Sequence, residues 1–329
     1  MIVRMIVFQT RGPEKVLSSY SLNVKGRLDL KEEEMIMRSF LRYTRVCGNV
    51  IRINGLLGLT NEFFYLVIGQ KAAAYVDTGY GFGDLIAFAR RFTDLPLIVL
   101  NTHGHLDHAG GDFQFPRVYA CKEDWAMLLE SYDDRAMNEK ARAALYDAGI
   151  WTEEDTVFAP PGAAPELLEI CDGDVFDLGG VTLEAITMPG HSPGCVSFLY
   201  REARILFSGD NCGPQPLIML PAQVEGRGKY SSCTLEVFSR SLHKLAAREG
   251  EFDRILNCHK AGELPMSCLH GVTDAVDSVL DGRYPGVPVA VMQGKITGVF
   301  SARGLDPEQV GKLPNSYIGD AVFARDNLR

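Results

Sequence analysis

Asn101-Thr102-His103-Gly104-His105-Leu106-Asp107-His108-Ala109-Gly110-Gly111 carries three of the chain's seven histidines and an aspartate within six residues. The apolar run Leu97-Ile98-Val99-Leu100 leads straight into it, which reads as a strand delivering polar side chains to the end of a sheet. An H-x-H-x-D-H pattern arises by chance in roughly 2 of 10,000 chains of this length and composition, so coincidence explains it poorly. Imidazole and carboxylate suit borderline first-row metals. Past a strand end, His103 and His105 can converge on one ion while Asp107 and His108 turn toward another.

Three further segments place a ligand type just after a strand. Pro189-Gly190-His191-Ser192-Pro193-Gly194 sets a histidine in a tight turn, Phe207-Ser208-Gly209-Asp210 ends on a carboxylate, and Asn257-Cys258-His259 ends on a histidine. Side chains carried by loops at one edge of a rigid scaffold are the usual source of chemistry.

Working outward, short strands are expected at Val50 to Ile53, Glu62 to Ile68 and Ala72 to Asp77, then a helix over Asp84 to Phe92 and a strand over Leu95 to Leu100. Strand patterns resume at Val175 to Leu178, Thr182 to Thr187, Cys195 to Tyr200 and Arg204 to Ser208. A helix over Thr234 to Arg248 and a strand over Arg254 to Asn257 follow. Both halves run strands, helix, strand, an order that favours two β-rich halves packed face to face with helices outside.

At about 150 residues per domain, 329 residues suggest two domains or one with large insertions. Hydrophobic residues at 46% and charged residues at 23% exclude disordered and collagenous classes. A net charge of -9 counts against a nucleic-acid binder that relies on a basic surface. No apolar run approaches the roughly 20 residues that cross a bilayer, and Met1 to Phe8 lacks the pattern of a secretory signal. Eight cysteines without a C-x-x-C pair fit reduced thiols. The expectation is a cytoplasmic protein.

Over about Val50 to Arg117 and Leu168 to His259, the chain resembles the metallo-β-lactamase-fold superfamily of metallohydrolases. Within that superfamily it is similar to the dinuclear branch of glyoxalase II and lactonase-type hydrolases. The resemblance rests on Val76-Asp77-Thr78-Gly79, the loop His103 to His108, the Pro-Gly-His turn at His191, the Phe-Ser-Gly-Asp element at Asp210, and His259. It implies an α/β fold, a four-layer αββα sandwich with a helical insertion and terminal extensions. By the same resemblance, His103, His105 and His191 hold one metal, Asp107, His108 and His259 hold a second, and Asp210 bridges both. The implied cofactors are two divalent metal ions, Zn2+ first, with Mn2+ or Fe as alternatives. Asp107 is implied as a catalytic residue that orients the water or accepts its proton, and Asp77 as a carboxylate supporting the loop from behind.

The activity this implies is hydrolysis of a small ester, thioester or lactone by a metal-bridging hydroxide. A phosphodiesterase or nuclease, an iron-dependent thiol or persulfide oxygenase, and a non-catalytic scaffold are the alternatives. True zinc β-lactamases usually lack an aspartate at the position of Asp210, so β-lactam hydrolysis is not expected.

The expected boundaries are an N-terminal extension over 1–48, the sandwich over 49–262 with a cap-like helical insertion at about 121–165, and a C-terminal segment over 263–329 packing on the same domain. A helix over Leu30 to Tyr43 allows packing on the same subunit or a homodimer. Trp125, Met127, Leu128 and Tyr132 are expected to shape a substrate pocket, with packing on the outer face as the alternative; Arg227, Lys229 and Tyr230 are candidates to meet an anionic group of the substrate, with a solvated loop as the favoured alternative. Val287 to Met292 and Ile296 to Phe300 read as a hairpin. Cys195, Cys212 and Cys258 read as small buried thiols, and His243 and His270 as non-ligands. The expected partner is a small molecule, with neither nucleic acid nor membrane.

Overall fold

Successive strand residues point to opposite faces, and in this chain both faces are apolar. Along β2 (Val50–Asn54), β3 (Phe63–Ile68) and β4 (Ala73–Val76), Val50, Tyr65, Val67, Ala74 and Val76 enter one buried cluster. Their neighbours Ile51, Ile53, Phe64, Leu66, Ala73 and Tyr75 enter another. A sheet apolar on both faces must be covered on both. The computed structural model describes residues 41–54, 62–81, 83–133, 164–213, 217–221, 231–259, 262–291, 296–303 and 319–329.

The first sheet has seven strands in chain order. β1 (Arg42–Cys47) to β4 form an antiparallel meander. β5 (Leu97–Leu100), β6 (Arg117–Ala120) and β7 (Glu166–Glu169) continue it in parallel. Each parallel step needs a crossover. Between β4 and β5 this is α1 (Leu85–Arg90), whose start is capped by Asp84 accepting from Ala87 N. It buries Leu85, Phe88 and Ala89 on the outer face. The β5 to β6 crossover holds the histidine loop and α2 (Leu106–Ala109), and the β6 to β7 crossover begins with α3 (Trp125–Asp133).

The second sheet has six strands. β8 (Val175–Asp177), β9 (Thr182–Thr187), β10 (Val196–Tyr200) and β11 (Ile205–Gly209) are antiparallel neighbours. β13 (Arg254–Asn257) joins β11 in parallel, and β14 (Glu263–Leu264) closes the edge. Leu183, Ala185, Val196, Phe198, Ile205, Phe207 and Leu256 face the first sheet. On the other face, Leu199, Leu206 and Ile255 pack against α4 (Leu235–Ala246) and α5 (Ser267–Leu280). Helix, sheet, sheet and helices make four layers, the α/β sandwich expected from the sequence. No helix among the described residues is long and apolar enough to cross a membrane.

One boundary differs from expectation. Arg42–Cys47 pairs with Val50–Asn54 across Gly48, so the sandwich includes residues placed in the extension, and a helix does not reach Tyr43. Tyr, Thr and Val suit a strand, and pairing decides where local propensity is weak. Residues 30–40 lie outside the described residues. His270 lies in α5, held by burial of Cys268, Leu269, Val272 and Val276. In the C-terminal segment, β15 (Val287–Val291) and β16 (Ile296–Ser301) pair antiparallel. β17 (Ala321–Phe323) joins β16 to β12 (Leu217–Met219) in a third sheet.

Candidate metal centre

Strand ends deliver the site. Past β4 the backbone of Asp77 turns left-handed, with φ 62°, a conformation that costs a non-glycine residue about 1–3 kcal/mol. Hydrogen bonds offset it. Asp77 Oδ1 accepts from Thr102 N at 2.7 Å, and Oδ2 accepts from Thr102 Oγ1 and His108 Nδ1, each at 2.8 Å. The carboxylate therefore grips the histidine loop at both ends. Asp112 closes the same loop, accepting from Thr78 Oγ1 at 2.7 Å and Asn101 Nδ2 at 2.6 Å.

His103 and His105 leave β5 in extended chain, and Asp107 and His108 sit in the first turn of α2. His191 follows β9 in a turn pressed against α4: a Cβ on Gly190 would stand 2.2 Å from Phe238 Cδ2. Asp210 follows Gly209, whose φ of 53° and missing Cβ let the strand end close on Thr102. His259 follows β13, its N donating to Asn257 Oδ1 at 2.7 Å.

The seven residues come together as two sets. His103 Nε2 lies 2.9 Å and His191 Nε2 3.0 Å from His105 Nδ1. In the second set, Asp107 Oδ2 lies 3.8 Å from His108 Nε2 and 3.7 Å from His259 Nε2. Asp210 stands between them: Oδ1 is 3.5 Å from His108 Nε2 and 3.0 Å from His259 Nε2, while Oδ2 is 3.5 Å from His191 Nε2.

The donor atoms test what could bind. His191 donates from Nδ1 to the Ile218 carbonyl at 2.9 Å, and His108 donates from Nδ1 to Asp77. With Nδ1 donating, the neutral form of either ring presents its Nε2 lone pair to the cluster. His108 Nε2 is buried and makes no hydrogen bond among the described residues. Such an arrangement fits divalent cations bound by nitrogen and oxygen.

The charges agree. Burial, with His108 and His105 nearby, holds His103 well below the usual imidazole range, so it stays neutral. Burial also opposes charge on His259, but Asp210 and Asp107 outweigh it and push the pKa up to about 9. The same balance lifts His108 above its ordinary value. Asp210, despite burial, is held well below the carboxylate range by His259 and His108. The second set is thus electronegative enough to hold protons that a cation would displace.

Cys258 also lies beside Asp77 and His108. Burial and Asp77 push its thiol up, and Asp77 Oδ2 already holds His108 and Thr102, so the thiol packs rather than ligates. His243 and His270 lie on α4 and α5 in exposed pairs with Asp277 and Glu249. Met127 and Leu128 are buried, and Trp125 packs against the cluster that holds Leu128. The side chain of Tyr132, and Arg227, Lys229 and Tyr230, lie outside the described residues. Sequence reasoning passed over Asp112 and Asp124, which look like ordinary turn and helix-start aspartates until their distant partners are known.

Residues 57–243 match the family described as the metallo-beta-lactamase superfamily, and the chain belongs to that superfamily. It is 31% identical over 166 residues to the acyl-coenzyme A thioesterase MBLAC2 of Gallus gallus, spanning 44% of this chain and 56% of the relative. It is 28% identical over 149 residues to the hydroxyacylglutathione hydrolase GloC of Haemophilus influenzae, spanning 43% and 61%. The chain thus spans little more than half the length of these curated relatives. Among solved structures, a metallo-beta-lactamase from Pontibacter korlensis is 17% identical with a TM-score of 0.49, covering 72% of this chain and 99% of that one.

Proposed function

We propose that the protein hydrolyses a small thioester, ester or lactone with two divalent cations, Zn2+ foremost, bound at this centre. The observation that carries the proposal is Asp210, whose carboxylate stands between the sets, Oδ1 3.5 Å from His108 Nε2 and Oδ2 3.5 Å from His191 Nε2, with His259 Nε2 at 3.0 Å and 3.2 Å from the two oxygens. His103, His105 and His191 would hold one cation, Asp107, His108 and His259 the other, and Asp210 both. Cations held there would lower the pKa of a bound water toward neutrality and polarise the acyl oxygen.

The chain's own residues supply the rest. At 23% side-chain exposure, Asp107 is more open than His108, His191, Asp210 or His259, so it faces the side from which substrate arrives. There its carboxylate orients the attacking water and takes its proton. Asp77 and the Ile218 carbonyl keep the rings of His108 and His191 from turning.

Two relatives named as a thioesterase and a hydroxyacylglutathione hydrolase support an acyl substrate. The net charge of -9 supports a small molecule over nucleic acid. Eight cysteines without a C-x-x-C pair support a reducing compartment, the cytoplasm. The test is a panel of acyl thioesters, esters, lactones and phosphodiesters offered to Zn2+-loaded protein, beside Asp210→Ala. Acyl turnover lost in the variant supports the proposal; turnover confined to phosphodiesters, or unchanged in the variant, overturns it.

A further inference from the structure

The crossover from β6 to β7 brings a carboxylate to the centre from outside every motif. Asp124, just before α3, is fully buried. Its Oδ2 accepts from Gly104 N at 2.9 Å and Ser192 Oγ at 2.6 Å, and its Oδ1 accepts from Gly194 N at 2.7 Å. Gly104 lies between His103 and His105, and Ser192 directly follows His191. One side chain therefore ties the two loops that carry the whole first set.

The space is shaped for it. A Cβ on Gly194 would stand 2.6 Å from Asp124 Cγ, so glycine there admits the carboxylate. Burial pushes the Asp124 carboxyl up, and its three hydrogen bonds pull the other way. A buried carboxylate is tolerable only with its donors in place, so the two loops are held at one separation.

The second set is tied differently. His108 is held by Asp77 and His259 by the Asn257 side chain, and neither tie passes through Asp124. We propose that Asp124 is the positioning residue of the three-histidine set and governs retention of the first cation separately from the second. The inference rests on the metal-site reading above, and extends it to the crossover.

The experiment titrates metal-stripped protein with Zn2+ against a chelator, and with Co2+ followed by absorption. Wild type, Asp124→Asn and Ser192→Ala are compared after circular dichroism has shown each to be folded. In Asp124→Asn an NH2 replaces one acceptor, and the first cation is expected to bind roughly 10–100-fold more weakly with the second unchanged. The Co2+ spectrum should then keep only the signal of the second set. Ser192→Ala, which leaves the carboxylate and both backbone donors, should show a smaller loss at the same cation, and carries the test if Asp124→Asn does not fold. Equal weakening of both cations, or none in either variant, overturns the inference. Wild-type protein that binds no Zn2+ overturns the metal-site reading itself.

Discussion

Replacing Asp77 by asparagine isolates one atom of the account. Asparagine tolerates the left-handed backbone at φ 62°, and its Oδ1 still accepts from Thr102 N. The Oδ2 position, which takes protons from Thr102 Oγ1 and His108 Nδ1 at 2.8 Å, becomes an NH2 that cannot accept. His108 then has to move its proton to Nε2, the atom that faces Asp107 and Asp210. The loss is a charge-assisted hydrogen bond worth about 1.5–3 kcal/mol. Outer carboxylates of this type alter metal affinity by about 10–100-fold, or roughly 1.4–2.7 kcal/mol, so the two magnitudes agree. The assay is Zn2+ binding to metal-stripped Asp77→Asn in competition with a chelator. Weakening by that factor at the second cation, larger than at the first, is expected. A variant that folds and binds both cations with wild-type affinity would refute the orienting role.

Further outcomes follow from other contacts. Gly209→Ala puts a Cβ 2.6 Å from Thr102 Cβ at φ 53° and should lower stability by about 2–4 kcal/mol in urea unfolding. A change under about 0.5 kcal/mol would show that the strand end moves freely. Burial opposes the charge on Asp172, but Lys244 and Thr187 outweigh it and hold the carboxyl below its ordinary value. A depressed folded pKa stabilises above the unfolded value of about 3.9 and is lost as pH falls through the folded one. Asp172→Asn should therefore melt earlier than wild type at pH 7, with the gap closing below about pH 4; a constant gap would contradict this. His243→Ala and His270→Ala remove exposed pairs, and should leave Zn2+ stoichiometry unchanged and stability within about 1 kcal/mol.

The candidate ligands were legible because metal chemistry imposes residue types, and four of the seven fall within six residues. Strands such as Thr182–Thr187 and Arg254–Asn257 were legible through β-branched and apolar runs bounded by turns. β6 and β7 were not, since four-residue strands separated by a long crossover make sense only as partners of each other. β1 carries exposed arginines at an edge, where solvent leaves no alternation to read. Asp124 meets Gly104 across 20 residues and Gly194 across 70. Such partners belong to the fold, so local sequence contains no trace of them.

The central claim is that two ligand sets share Asp210. Calorimetric titration of metal-stripped protein with Zn2+ tests it directly. Two cations per chain are predicted for the wild type, with Asp210→Ala weakening both and abolishing acyl hydrolysis. A single binding event, or an Asp210→Ala protein that still binds two cations and turns over substrate, would contradict it.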